Sequence, residues 1–524
     1  MRTTFRIRFI AVLMILIMGG TLIPEVNFAT SKLTVGQKNK IVEASNGQYT
    51  LTYDLSTGLG SFAWGKRMII RDFSSDFKFA GDAARYRSSD PATRTAEWSK
   101  LDRDVYGRDG VKLSILSALD SGSTLTLNLY LYPDQSYFLS DMSVSSPEAR
   151  AVDILEPVST SFLDIGAGTD KRILTTPYTN NFDFGVAPVS DFGSSQNGAD
   201  RFEGEQLKWE PFNGISYWVS AVFDNVGKQG FVAGAATVKN WKSSQKLGQA
   251  EQANGPLTSF SVYNWGGSQS GQMIHSDRFF FGFYEDYQAG LEEYGNVYNA
   301  GEPHMEWKGE VPMGYNTYYS HYNYASAEAM YPMVDYMAKH LKPLGYTYFN
   351  LDGGFQPDSS LPFDDGMKAF ADYVHSKGLK VGGYQTPFTI YDAWLDLPIP
   401  GTAYTYRDIC LKDENGKLIR TYLGTYAMDV SHPAAQTAIR SAIQKYVDWG
   451  YDYLKLDFID MGMYEGQHYD PAVNGVQAYR IGMGIIRETV LAANRPITSM
   501  SRLPRFCPRH SRMGEEQLAI LQSE

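Results

Sequence analysis

Cysteine is scarce in this sequence, since only Cys410 and Cys507 occur among 524 residues. A chain of this length with two cysteines does not depend on a disulfide framework. The cysteines and histidines also do not cluster with the spacing of a zinc site, so the sequence predicts no metal centre.

An excess of positive charge is also lacking. The formal net charge is −11 and the calculated isoelectric point is about 5.3. Phosphate backbones require a basic surface, so the sequence predicts no nucleic-acid partner. Hydrophobic residues make up 43% of the chain and charged residues 20%, which is typical of globular domains. The length predicts two or more of them.

No apolar run in the N-terminal region is long enough to span a membrane. The run Phe9–Met18 is shorter than the roughly 20 residues that a spanning helix needs. Arg2, Arg6 and Arg8 precede it, as in the charged start of a signal peptide. Residues 1–29 are therefore predicted to be a signal peptide, and the mature protein to be secreted and free of the membrane. The alternative is a buried N-terminal helix.

The next 250 or so residues have the pattern of strands. Segments such as 48–54 and 124–131 alternate apolar and polar residues, and helical periodicity is scarce. This predicts an N-terminal antiparallel β-sandwich over residues 32–285. Residues 286–310 are predicted to be a linker, with a helix over 286–299.

After residue 310 apolar strands alternate with amphipathic helices. The predicted strands are 311–316, 346–352, 379–384, 451–457 and 496–501, and the predicted helices are 325–341, 366–377, 433–449 and 476–493. Repeated strand–helix units without a glycine-rich phosphate loop favour an α/β barrel of the TIM (β/α)₈ type. The catalytic barrel is placed at residues 311–501, with about five strands.

Three polar side chains fall where such a barrel has its active site, at the carboxyl ends of the strands. Asp352 ends the second predicted strand and Asp457 ends the fourth. Lys455 lies two residues before Asp457, so strand alternation places both on one face, where the ammonium stabilises a negative charge. A negative carboxylate is what a nucleophile requires. The alternative for each aspartate is a cap of the following helix.

Other polar and aromatic residues are weaker candidates. Tyr315, Trp394, His321 and His468 could line a sugar site, although packing or surface exposure accounts for each of them singly. Asp460, three residues after the second aspartate, is predicted to be a cap or a solvated loop residue.

Four segments carry a resemblance to a known family. Val311-Pro312-Met313-Gly314-Tyr315-Asn316 is similar to the first-strand Pro-Met-Gly-Trp-Asn of the α-galactosidase clan, glycoside hydrolase families 27 and 36. Residues 348–355, 365–380 and 448–457 resemble the second strand, the following helix with the third strand, and the nucleophile strand of the clan. A large β domain before the barrel is similar to family 36.

The resemblance implies a retaining hydrolase that cleaves terminal α-linked galactose from oligo- or polysaccharides without a metal or organic cofactor. Asp457 would be the nucleophile, Lys455 would hydrogen-bond a sugar hydroxyl, and Asp352 and Tyr315 would bind the sugar. A second carboxyl group would protonate the leaving oxygen from about 5–5.5 Å across the scissile bond.

The sequence departs from the clan in two places. Gly353 stands where the clan has a second acid, and Tyr315 stands where it has tryptophan, so a related α-hexoside is an alternative substrate. Residues 502–524 form an aberrant tail, basic and broken by proline, in which no acid/base is recognisable. We expect a truncated or frameshifted end, impaired hydrolysis and poor folding. The alternatives are a non-catalytic carbohydrate-binding protein and a transglycosylase.

Overall fold

The computed structural model describes residues 33–176, 185–191, 198–203, 206–211, 214–302, 311–421, 423–493, 498–502 and 518–521. The predicted signal peptide and most of the predicted tail lie outside these ranges. Within them, no helix is both long enough and apolar enough to cross a membrane.

The N-terminal region is built from antiparallel strands. The strands are β1 Thr34–Lys38, β2 Ile41–Ser45, β3 Tyr49–Asp54, β4 Leu59–Trp64, β5 Arg67–Phe79, β6 Tyr86–Arg87, β7 Ala92–Leu101, β8 Gly110–Leu119, β9 Thr124–Leu131, β10 Tyr137–Thr160, β11 Lys171–Thr175, β12 Gly185–Pro188, β13 Gly198–Glu203, β14 Gln206–Pro211, β15 Ile215–Tyr217, β16 Val219–Asp224, β17 Gly230–Ala235, β18 Lys242–Leu247, β19 Phe260–Trp265, β20 Gln269–His275 and β21 Phe279–Tyr284. Nineteen of them form one connected sheet system, and β13 pairs with β14 separately.

The strand β10 organises this region. It is 24 residues long and pairs with β5, β9, β19, β20 and β21 along different parts of its length. Alternate residues of β3 are buried, which is the half-buried pattern that the sequence predicts. The region is sheet-rich and antiparallel, as predicted, and its division into the two layers of a sandwich stays a prediction.

The helix α1, Tyr287–Gly301, begins the segment predicted to be a linker. Asp286 caps it by accepting a hydrogen bond from the backbone of Gln288. The helix packs on the sheet rather than bridging free space, because Tyr294 is buried and donates a hydrogen bond to the carbonyl of Ala235 at 2.9 Å. Residues 303–310 lie outside the described part of the chain.

The C-terminal region contains the parallel strands. Its elements are β22 Gly314–Asn316, α2 Tyr318–His321, α3 Ala327–Tyr336, β23 Tyr348–Asn350, α4 Phe363–Ser376, β24 Lys380–Gln385, β25 Thr389–Ile390, β26 Tyr426–Ala427, α5 Pro433–Trp449, β27 Tyr453–Leu456, α6 Gly475–Ala492, β28 Thr498–Arg502 and β29 Leu518–Leu521. Five strands, β22, β23, β24, β27 and β28, pair in that order and in parallel. They correspond to the five predicted strands.

Local signals in the sequence set the ends of the helices. Pro433 is the first residue of α5, where its missing N–H costs no hydrogen bond. Gly450 ends that helix with a φ of 92°, which glycine adopts without strain. Asn474 begins α6 through a reciprocal capping box with Gln477.

Two details differ from the sequence prediction. The helix predicted over 325–341 is an α-helix only to Tyr336 and continues as a π-helix over Met337–Leu341. In addition, Leu518–Leu521 of the predicted tail forms a strand, β29, antiparallel to β28. The sequence around it carries no alternation that would have indicated this pairing.

Candidate active site

Three side chains meet at the carboxyl ends of β23 and β27. The Nζ atom of Lys455 lies 2.8 Å from Oδ2 of Asp352 and 3.5 Å from Oδ2 of Asp457. Only 12% of the lysine side chain and 4% and 7% of the two aspartate side chains are exposed. One ammonium therefore pairs with two buried carboxyl groups, an arrangement that is costly to bury unless each group has a partner.

Backbone and polar contacts fix both carboxylates in place. The backbone N–H of Asp352 donates to Oγ1 of Thr317 at 2.9 Å, and the side-chain amide of Asn316 donates to its Oδ2 at 3.1 Å. The N–H of Asp457 donates to the carbonyl of Gln385 at the end of the neighbouring strand, at 2.9 Å. Consecutive parallel strands thus hold the two groups at one edge of the sheet.

The residue after Asp457 turns the chain away from the strand. Phe458 has a φ of 51°, which is unusual for a residue other than glycine, and its N–H donates to Oδ1 of Asp457 at 3.0 Å. Such conformations persist where the surroundings over-determine them, and they are common at functional sites. One carboxylate oxygen is held by the backbone, and the other faces Lys455.

Tyr384, at the end of β24, completes the cluster. Burial, followed by the charges of Asp457 and Asp352, raises the pKa of its hydroxyl, which also hydrogen-bonds Asp457. The phenol is therefore neutral over the ordinary pH range and acts as a donor to the carboxylate. Its ring also lies beneath the ammonium of Lys455, 5.2 Å from the ring centroid.

Gly353 makes room for that tyrosine. A Cβ atom at this position would lie 3.0 Å from a ring carbon of Tyr384, which is tighter than ordinary van der Waals contact. The missing second acid of the sequence motif and the position of Tyr384 are thus coupled, because a larger side chain at 353 would displace the ring.

Sequence reasoning missed Asn316, Thr317 and Tyr384 as members of the site. Asn316 belongs to the first-strand motif and was available as a candidate from it. Tyr384 lies on the same face of β24 as Gly382, where an added Cβ would contact Asn350 of β23, so its place in the site is apparent only once the two strands are paired. No pattern in the sequence indicated that the hydroxyl of Thr317 belongs to the site.

Tyr315 lies apart from the cluster. Its ring packs 5.0 Å from that of Phe349, and its hydroxyl is 3.2 Å from Nδ1 of His321. Since alternate residues of a strand face opposite sides, Tyr315 lies on the side of β22 away from Asn316. A role of Tyr315 or His321 in sugar binding stays a prediction.

The remaining candidates have other neighbours. Trp394 lines a cavity together with Tyr406 and residues of α5. The side chain of His468 is buried, and its Nδ1 lies 3.1 Å from Oδ1 of Asp429. Asp460 lies in the short helical turn Ile459–Met463 that follows Asp457. In the described ranges no group of three or more His, Cys, Asp or Glu side chains could hold a metal ion.

The N-terminal sheet contacts the loop that follows Asp457. The buried Nζ of Lys242 on β18 lies 2.8 Å from Oε1 of Glu465, and the other carboxylate oxygen accepts the N–H of Gly475 at 3.0 Å. Asn474 donates to the carbonyl of Asn240 at 2.6 Å. The β-rich region therefore holds the loop between the nucleophile candidate and α6.

Replacing Lys242 by methionine should loosen this loop. We expect amide hydrogen exchange in residues 458–474 to become about tenfold faster or more, because Glu465 loses a buried partner. Hydrogen-exchange mass spectrometry measures the effect. Arg440→Met is the matched control, since Arg440 pairs with Glu488 at 3.8 Å with 53% and 71% of the side chains exposed. Equal rates of amide exchange in residues 458–474 of the two variants would show that the contact between Lys242 and Glu465 does not hold the loop.

Comparison with known proteins shows what the chain resembles. No family model matches the chain. Parts of the sequence, and the fold, are nevertheless similar to α-galactosidases, a class of glycoside hydrolase. It is 30% identical over 157 residues to α-galactosidase A of Cellvibrio japonicus, covering 28% of this chain and 36% of that protein. It is 42% identical over 86 residues to an α-galactosidase of Coffea arabica, covering 14% of this chain and 22% of that protein.

Solved structures extend the likeness of fold to most of the chain. The α-galactosidase of Lactobacillus brevis has a TM-score of 0.55 at 11% identity, covering 88% of this chain and 69% of that one. A variant of the family 36 α-galactosidase AgaA from Geobacillus stearothermophilus, solved with raffinose, has a TM-score of 0.54 at 12% identity, covering 88% and 72%. The sequence matches span about a third or less of the curated relatives.

Proposed function

We propose that the chain is a retaining glycoside hydrolase that removes terminal α-linked galactose, or a related α-hexose, from oligo- or polysaccharides. The observation that carries the proposal is the buried cluster of Asp352, Lys455 and Asp457 at the carboxyl ends of β23 and β27, which lie on either side of β24. In this proposal Asp457 is the nucleophile, and Lys455 and Asp352 bind sugar hydroxyls.

The chemistry follows from the geometry of Asp457. Its Oδ2 attacks the anomeric carbon while the glycosidic bond breaks, and the bonding electrons leave with the departing oxygen. Water then attacks the same carbon and releases the carboxylate. The positive charge that develops on the sugar is stabilised by the nearby carboxylates. A second carboxyl group must protonate an ordinary leaving oxygen and then accept the proton that the attacking water loses, and we assign no described residue to that role.

Two broader features belong to the same proposal. The five parallel strands are inferred to be part of a (β/α)₈ barrel, and the order of their pairing supports this. Export of the protein is inferred from the pattern of residues 1–29.

Raffinose is the ligand in the cited AgaA structure, and the sequence likeness is to α-galactosidases. Both favour galactose as the sugar. The contact between Gly353 and Tyr384 changes the wall of the site, which is the reason for retaining a related hexose as an alternative.

The stereochemistry of hydrolysis tests the proposal. Proton NMR of a reaction with 2,4-dinitrophenyl α-galactoside should show α-galactose as the first product, since two displacements at the anomeric carbon restore its configuration. This leaving group departs without protonation, so the first displacement does not require the acid/base. First release of β-galactose would exclude retention. Calorimetric binding of galactose without turnover would favour a non-catalytic carbohydrate-binding protein.

A further inference from the structure

A loop rich in exposed tyrosine follows β22. Residues 317–324, here called the tyrosine loop, contain Tyr318, Tyr319, Tyr322 and Tyr324. Their exposed fractions are 40%, 76%, 60% and 82%. Rings of this size are usually covered in a folded protein, and a group of them on the surface marks a contact site.

The tyrosine loop begins inside the candidate site. Thr317, its first residue, is fully buried and accepts the N–H of Asp352, and Asn316 donates to the Asp352 carboxylate. The exposed rings lie within seven residues of Thr317 along the chain. The loop is thus joined directly to the residues that hold Asp352.

Three of the four rings are held by contacts with one another. The ring of Tyr318 packs edge-on against Tyr319 at 5.7 Å and against Tyr322 at 5.5 Å. Tyr322 has a φ of 49°, a conformation that costs free energy for residues other than glycine. Strain held by neighbouring contacts is a feature of ligand clamps, and rigid tyrosines bind with little loss of entropy.

The chemistry of the loop indicates the kind of ligand. It contains Thr, Tyr, Ser, His and Asn but no Asp, Glu, Lys or Arg. A surface of this kind offers ring faces and hydroxyl groups without charge. A pyranose has a matching apolar C–H face and hydroxyl edge, so a neutral glycan fits better than a charged partner.

We propose that the tyrosine loop is a subsite for the sugar units of an oligosaccharide that follow its terminal hexose. The rings of Tyr319 and Tyr324 stack on those units, and the terminal hexose occupies the site of Asp352, Lys455 and Asp457. The proposal rests on the proposed function, because it takes the terminal sugar to bind at that cluster.

Calorimetry with two ligands tests the subsite. Galactose reports on the terminal position alone, and the tetrasaccharide stachyose, with its terminal α-galactose, reports on both positions. For Tyr319→Ala/Tyr324→Ala we expect the Kd of stachyose to rise about tenfold and that of galactose to stay unchanged. Tyr336→Ala is the control, since Tyr336 is 55% exposed on α3, outside the loop. Each variant must first show the circular dichroism spectrum and Tm of the parent.

The outcomes separate the two proposals. If the parent protein binds neither sugar, the proposed function itself fails. If galactose binds but stachyose binds no more tightly, or the double variant binds both like the parent, the subsite is overturned. Sedimentation velocity checks the competing occupant: a dimer of the parent that the double variant loses would assign the rings to contact between two copies and would also overturn the proposal.

Discussion

Replacing Asp457 by asparagine will reduce the turnover of 2,4-dinitrophenyl α-galactoside by about 10⁴-fold or more, because the amide cannot form the glycosyl–enzyme bond. The loss is measured by the release of dinitrophenolate at saturating substrate. Since this leaving group requires no proton, formation of the glycosyl–enzyme depends on the nucleophile and not on the acid/base.

Two controls make this result specific. Asp460→Asn changes a carboxylate three residues further on and should leave turnover within about threefold of the parent. Asp457→Ala opens space beside the anomeric carbon, so added azide should restore activity and yield β-galactosyl azide by one displacement. Turnover by Asp457→Asn close to that of the parent would exclude Asp457 as the nucleophile.

Replacing Lys455 by methionine will lower the free energy of unfolding by about 3–5 kcal/mol. The variant keeps the volume of the side chain but leaves Asp352 and Asp457 buried without their shared cation. Their side chains are only 4% and 7% exposed, so water cannot take its place. Urea denaturation followed by circular dichroism measures the change.

Lys445→Met is the matched control for this experiment. Lys445 pairs with Asp364 at 3.3 Å, with 53% and 57% of the two side chains exposed. An exposed pair of this kind contributes about 1 kcal/mol or less. Similar losses for Lys455→Met and Lys445→Met would show that the buried cluster is not held by its central charge.

The predictable part of the fold is the part with a regular hydrophobic period. The helix predicted over 433–449 is observed with the same bounds, because Pro433 and Gly450 fix its two ends. The five parallel strands were found in order, although four of them, all but β24, are shorter than the predicted runs. The strand β29 was missed because its pairing depends on a distant partner and not on local sequence.

The site was predictable where a charged residue interrupts an apolar strand. Lys455, Asp457 and Asp352 have that signature, and the structure brings the three together. Tyr384 has none, because a tyrosine at a strand end is ordinary packing until the neighbouring strands are placed. The contact between Lys242 and Glu465 joins residues more than 200 positions apart, and no sequence pattern connects them.

Trapping of the covalent intermediate tests the central claim most directly. Incubation with 5-fluoro-α-galactosyl fluoride, whose fluorine slows hydrolysis of the glycosyl–enzyme, should add one fluorogalactosyl unit to the intact protein. Peptide mass spectrometry should place the adduct on Asp457, and Asp457→Asn should remain unlabelled. An adduct on another carboxylate, or an unlabelled parent protein that still hydrolyses the dinitrophenyl galactoside, would contradict the assignment of Asp457 as the nucleophile of a retaining α-galactosidase-like hydrolase.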